Sequence, residues 1–342
     1  MKYLFYTHSA ITTRLCFEII KYQNIDARDV LWLSARDEFV GNEQNVIPVE
    51  IFGCVLPKAN LNFTRCRREL REWRRKLTVY LNGESYRCFL PQTQQLFLQL
   101  LTTHPLCKGY FLVEEGMAAY YEEATLTQIK RKKMDVMSLV KWSYNYINYG
   151  GSFRKRRLLQ DSKSQQYLGC YTWNKYGFPG YTKRHVLNCP FSLSNEHLNV
   201  EVLIVLDAVV EAGMIKPKVM SKALNKTFLM LKKRGLTNLG VKLHPETTKQ
   251  GKDIPVWWSE AFSGLKDHFS VCWIPRNCVV EDLALQKNKI FIVNISSVGL
   301  YAAILGRDVW SISGIVQEFT EGCDLMPSQM PSIWNKMIMM LK

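Results

Sequence analysis

Leu239-Gly240-Val241-Lys242-Leu243-His244-Pro245 reads as a short buried strand that ends on an imidazole. Pro245 favours an extended conformation at His244 and discourages the strand from continuing, so the ring is offered at the edge of a sheet. The same grammar occurs twice more. Residues 109–113 are an apolar run that delivers Glu114-Glu115-Gly116, and residues 289–293 lead through Asn294-Ile295 to Ser296-Ser297. In an open α/β sheet, ligands bind beyond the carboxyl ends of the strands. Carboxylates, an imidazole and paired hydroxyls delivered there suit a base, an acid and a phosphate clamp.

Outward from these runs, short apolar segments alternate with helical ones, the signature of a parallel sheet. In the first half the predicted strands are residues 3–6, 30–34, 46–52, 86–90 and 109–113. Thr7-His8-Ser9 begins a turn into a helix that runs through about Tyr22, and a helix spans residues 93–103. Residues 65–76 form a helix with one heavily charged face, while Leu70, Trp73 and Leu77 lie at helical spacing on the other. The second half restarts at residues 200–206 and Asp207, with a helix opened by Pro217 and closed by Gly235. Strands at 239–243, 269–274, 289–293 and 308–312 follow, with helices opening at Val280 and after Ser297. Between about residues 130 and 184 the alternation breaks down. Lys130-Arg131-Lys132-Lys133, Arg154-Lys155-Arg156-Arg157 and a Tyr-, Trp-, Gly- and Pro-rich stretch at 167–181 occupy this segment. The boundary is placed near residues 190–199, giving domains 1–190 and 191–342.

With 342 residues, 47% of them hydrophobic, the chain can fill about two cores. The formal net charge of +15 calls for an anionic partner: nucleic acid, an acidic membrane surface or a charged substrate. Several classes are disfavoured. No G-x-G-x-x-G follows the first strand, against a dinucleotide oxidoreductase, and no D-x-D stands at a strand end, against a metal-dependent transferase of the other common architecture. Val241 separates Gly240 from Lys242, so a P-loop is matched only loosely. The ten cysteines include no C-x-x-C pair and read as reduced thiols in a cytoplasmic protein. No leader is read at Met1-Lys2-Tyr3-Leu4, and no run approaches the roughly 18 apolar residues of a spanning helix. Sequons at Asn62, Asn225 and Asn294 carry little weight, the last two falling within a helix and at a strand end. The basic clusters, interleaved with Trp142, Tyr144, Tyr146 and Tyr149, resemble a single-strand binding surface, yet no nucleic-acid motif accompanies them. Residues 333–342 read either as an interfacial helix or as a terminal helix packed on the core.

Taken in order, VEEG, KLHPE and NISSVG resemble the D/E-D/E-G, H-P and S-S/T motifs of bacterial sialyltransferases of the two-Rossmann (GT-B) kind. That group comprises the lipooligosaccharide sialyltransferases and the related capsule polysialyltransferases. Val280-Glu281-Asp282-Leu283 is similar to the segment that holds the nucleotide in that family. The resemblance implies two Rossmann-like domains facing a central cleft, an acceptor-side domain at 1–190 and a nucleotide-sugar-binding domain at 191–342. It implies metal-free, inverting transfer of sialic acid from CMP-sialic acid to a glycan acceptor, lipid-linked, at the anionic inner face of a bacterial inner membrane. Glu115 would be the general base, with Glu114 as the alternative, because relatives carry Asp where this chain has Glu. His244 would assist CMP departure, Pro245 would shape that motif, Ser296 and Ser297 would bind the phosphate, and Glu281 would lie near the ribose. Two other readings stay open: a GT-B transferase using CMP-Kdo or a UDP-sugar, and a non-enzymatic basic polyanion-binding protein.

Overall fold

A computed structural model describes residues 1–34, 46–48, 63–122, 160–192, 198–244, 254–275, 278–320 and 330–341, with isolated residues between them. The chain forms two compact units, Met1–Pro190 and Phe191–Lys342. Pro245, both basic clusters, Trp142, Tyr144, Tyr149 and Asn62 lie outside the described residues.

The first unit is built on seven strands: β1 (Lys2–Thr7), β2 (Val30–Ser34), β3 (Val46–Pro48), β4 (Tyr86–Leu90), β5 (Cys107–Val113), β6 (Tyr167–Thr172) and β7 (Arg184–Val186). All pair in parallel, in the order β3-β2-β1-β4-β5-β6-β7. Parallel strands buried on both faces read as unbroken apolar runs, because no face is left for polar residues. The sheet centre is aromatic: Phe89 of β4 stacks between Phe5 of β1 and Phe111 of β5, at centroid distances of 4.3 and 5.0 Å. Helix α1 (Ala10–Gln23) starts where Ser9 Oγ accepts the Thr12 N–H at 3.3 Å and ends at Asn24 in the left-handed conformation. Helix α2 (Phe63–Tyr80) buries Cys66, Leu70, Trp73 and Leu77, spaced by three or four residues along one side. Helix α3 (Leu96–Thr103) leads into β5.

Strands β6 and β7 correct the expectation that residues 130–184 break the pattern throughout. They went unread because Gly169 interrupts one run and the other has three residues on an edge. The glycines have a steric reason. A Cβ on Gly109 would stand 2.7 Å from the Gln166 carbonyl oxygen, and one on Gly169 would stand 2.7 Å from that of Lys183. The β5–β6 register also shifts between Tyr110 and Phe111, so here glycine marks close backbone approach at an irregular pairing.

The second unit repeats the plan with β8 (Val202–Val205), α4 (Pro217–Lys233), β9 (Asn238–Lys242), α5 (Val256–Ala261), β10 (Ser270–Trp273), α6 (Val280–Leu283), β11 (Ile290–Val293), α7 (Ser297–Ile304), β12 (Asp308–Ser311), α8 (Ser313–Glu318), α9 (Ser332–Met337) and β13 (Met339–Met340). The all-parallel order is β10-β9-β8-β11-β12-β13. The chain end departs from expectation. Only Ser332–Met337 is helical, with Ile333 and Trp334 buried, and β13 then adds to β12, the Leu341 N–H donating to the Ser311 carbonyl at 2.9 Å. Both units are therefore Rossmann-like, each ordering its first six strands outward from a central pair. The order reverses between β1 and β4 in the first unit and between β8 and β11 in the second.

Phe89→Ala removes the middle ring of the aromatic stack at a position with no solvent exposure. It should destabilise the first unit by about 3–5 kcal/mol, read as a lowered urea midpoint in the transition followed by first-unit probes.

Candidate functional site

In the second unit the switch point between β8 and β11 is held by Asp207. Its carboxylate accepts the Ile295 N–H at 3.1 Å and the Asn294 side-chain amide at 3.4 Å. Burial raises this carboxyl above its ordinary value, and the bonds from Ile295 and Asn294 oppose the rise. From the other side, the Ser311 hydroxyl donates to the Asn294 carbonyl at 2.7 Å. The loop leaving β11 is thus fixed by side chains from both neighbouring strands. It ends on Ser296, whose Oγ caps α7 by accepting the Val298 N–H at 3.3 Å. Ser297 is the first helical residue, and both serines are half-buried. The cap reading of Ser296 is therefore realised, and α7 begins directly after the carboxyl end of β11.

His244 follows β9, which adjoins β8 in the sheet. Its ring belongs to a half-buried residue, and its carbonyl accepts the Thr247 N–H at 2.9 Å as the chain turns back. Two residues earlier, the buried Lys242 ammonium donates to the Pro275 carbonyl, fixing the end of β9 against the loop that leaves β10. His244 and Ser296-Ser297 therefore leave the same edge of one sheet, two strand spacings apart, roughly 10 Å. Glu281 is half-buried in α6, which packs against α7. Its neighbour Asp282 is buried and accepts the Ser192 N–H at 3.0 Å.

In the first unit the two adjacent carboxylates part company. Glu114 has no solvent exposure. Its oxygens accept hydrogen bonds from the Tyr120 and Thr172 hydroxyls, the Trp173 N–H at 3.3 Å and the Asn174 amide at 3.4 and 3.5 Å. Burial outweighs these donors and pushes its pKa up to about 7. A Cβ at Gly177 would lie 2.9 Å from Glu114 Oε2, so the loop after β6 closes directly over the carboxyl. Glu114 is a latch tying the end of β5 to the exit of β6.

Successive side chains at a strand end point to opposite sides, and Glu115 faces the other way. Its side chain keeps 15% exposure, and its Oε1 lies 2.5 Å from His8 Nε2. Gly116 follows with φ 58° and ψ −165°, a region open in practice to glycine alone, which lets the backbone turn at once into Met117–Tyr120. His8 itself leaves β1 at the first unit's switch point, its ring 5.5 Å from that of Tyr6 and its Nδ1 buried with no hydrogen-bond partner among the described residues. Sequence reasoning missed His8. The signal was present in the grammar used elsewhere, since residues 3–6 are an apolar strand that delivers Thr7-His8-Ser9. Among the described residues no group of three or more His, Cys, Asp and Glu side chains is placed to hold a metal ion.

Glu114 makes stability depend on pH. Its folded pKa lies above the ordinary 4.5, so the folded state holds the proton longer than the unfolded chain does. Stability from this group is complete below about pH 4.5 and is lost as the pH rises through about 7. Glu114→Gln should therefore gain on the wild type as the pH rises from about 5 to about 8, measured as the difference in Tm between the two proteins.

No family model matches the sequence, and no curated protein matches it either. Solved structures similar to the chain include Staphylococcus aureus MnaA with UDP, at 9% identity over 91% of this chain and 79% of that one, TM-score 0.48. UDP-GlcNAc 2-epimerase from Neisseria meningitidis bound to UDP-GlcNAc is 12% identical over 93% and 90%, TM-score 0.45. MurG from Acinetobacter baumannii is 10% identical over 100% and 85%, TM-score 0.43.

Proposed function

We propose that the protein is an inverting glycosyltransferase that takes a nucleotide sugar as donor, with CMP-sialic acid the donor named by its motifs. The observation that carries the reading is the edge of the second sheet. A helix N-terminus capped by Ser296 stands at the switch point there, with His244 two strands away. A leaving nucleotide gains negative charge on its phosphate, and preorganised N–H groups, hydroxyls and an imidazole are the groups that stabilise it.

In this reading the acceptor hydroxyl oxygen attacks the anomeric carbon and its proton passes to the Glu115 carboxylate. The bond from the anomeric carbon to the phosphate oxygen breaks, and its electron pair leaves with CMP. His244 donates a proton or hydrogen bond to that phosphate, Ser296 and Ser297 bind it, and Glu281 lies toward the ribose. Glu115 is preferred over Glu114 because Glu114 has no solvent exposure and is already saturated with donors. His8 is a positioning residue: it holds one oxygen of Glu115 and leaves the other for the acceptor. The net charge of +15 favours an anionic donor and a lipid-linked surface glycan at an anionic membrane. Among the described residues no helix is long and apolar enough to cross a membrane. The family resemblance and the net charge of +15 support a peripheral place at the inner face of the membrane.

The test is release of CMP from CMP-sialic acid with EDTA present, using lactose-terminated and sialylated acceptors and running CMP-Kdo and UDP-galactose in parallel. Wild-type turnover of CMP-sialic acid is expected, falling by about 10²–10⁴ in His244→Ala and in Glu115→Gln. His8→Ala should lower kcat and His8→Gln, which keeps an N–H donor, should recover part of it. Turnover of a different donor would keep the reaction class and replace the sugar. Turnover that is unchanged in both His244→Ala and Glu115→Gln would overturn the reading.

A further inference from the structure

The charged helix that sequence analysis singled out has no part in this chemistry. Between Arg65 and Lys76, α2 carries seven cations against two acids, and they are not evenly paired. On one flank Arg65 pairs with Glu69 and Lys76 with Glu72, each four residues apart. On the other flank Arg67, Arg68, Arg71 and Arg75 are all exposed, and none makes an ion pair or hydrogen bond among the described residues. Arg67, Arg71 and Arg75 follow one another at i,i+4 and Arg68 lies beside them, one stripe turned away from the buried Leu70, Trp73 and Leu77. Like charges at this spacing destabilise a helix, so folding alone does not favour the stripe. It is complementary to an anionic surface.

We propose that this face of α2 is a docking surface for an anionic lipid bilayer. The stripe continues at i,i+4 into Val79, 66% exposed. An apolar side chain at the end of a cationic row suits the headgroup boundary, where it enters the interface while guanidinium groups engage lipid phosphates. Single-stranded nucleic acid fits less well. It asks for aromatic platforms among the cations, and the helix's Trp73 is fully buried. The proposal rests on the helix alone and stands whatever the donor sugar is.

The experiment is co-sedimentation of the full chain with vesicles of phosphatidylcholine alone and of phosphatidylcholine with phosphatidylglycerol. Wild type should bind only the anionic vesicles, and more weakly as salt is raised. A basic residue near an anionic leaflet is worth about fivefold in affinity. The variant Arg67→Gln/Arg68→Gln/Arg71→Gln/Arg75→Gln should therefore bind at least about tenfold more weakly. Gln matches Arg in helix propensity, so the variant's Tm should equal or exceed that of the wild type. A control of equal net charge replaces the exposed Lys216, Lys218, Lys222 and Lys233 by Gln and should bind like wild type. Three outcomes would overturn the proposal. They are no binding by wild type, equal losses in both variants, and a single-stranded oligonucleotide that binds through the four arginines more tightly than the vesicles do.

Discussion

Parallel pairing is the constraint on which the rest of this structure depends. Within each unit every described strand pairs in parallel with its neighbours, so the carboxyl ends open on one edge of that unit's sheet. Residues far apart in the chain are gathered without touching one another in sequence. His8 and Glu115 are 107 positions apart and meet because β1 and β5 are separated by β4 alone. His244 and Ser296 are brought to one edge in the same way, by β9 and β11 on either side of β8. An antiparallel arrangement would have sent half of these groups to the opposite edge.

The strand ends are then held by buried polar groups whose role is mechanical. Glu114 collects donors from the turn after β5 and from the chain leaving β6. Asp207 does the same for the loop leaving β11, and Lys242 for the loops after β9 and β10. Glu114 and Asp207 are each satisfied by several donors, which makes their loops expensive to move. A loop tied this way can present an exposed side chain at a fixed position. That is how a latch residue and a less buried one stand side by side in the sequence, as Glu114 does with Glu115.

Most of the strand order was legible because buried parallel strands leave a plain mark, an apolar run closed by a polar residue. Residues 86–90 and 30–34 are found at those bounds, and α2 extends its reading by a turn at the carboxyl end and two residues at the amino end. What was not legible had physical causes. β6 contains a glycine demanded by the neighbouring backbone, which lowers its apparent strand character. β13 has two residues and is held by pairing with β12, a long-range contact that no local pattern records. His8 was read only as part of a helix start, since Ser9 beside it is a strong cap. The distinction between Glu114 and Glu115 was the least legible of all, because two identical side chains differ only in which way the strand end turns them.

That difference illustrates how one short motif divides its labour. Both carboxyls leave β5 within one residue of each other, yet one is enclosed by hydroxyls, an amide and the Gly177 backbone, and the other meets an imidazole at the solvent edge. Enclosure lifts Glu114 to about 7 despite its donors, so at neutral pH it holds its proton part of the time. Glu115 keeps partial exposure, and its Oε1 lies against His8 Nε2. Environment separates two like groups, one enclosed by donors and the other paired with an imidazole. Exchanging their surroundings would require moving β6, because Thr172, Trp173 and Asn174 all belong to its exit. The difference in surroundings between the two carboxylates is therefore set by the strand that sequence alone did not reveal.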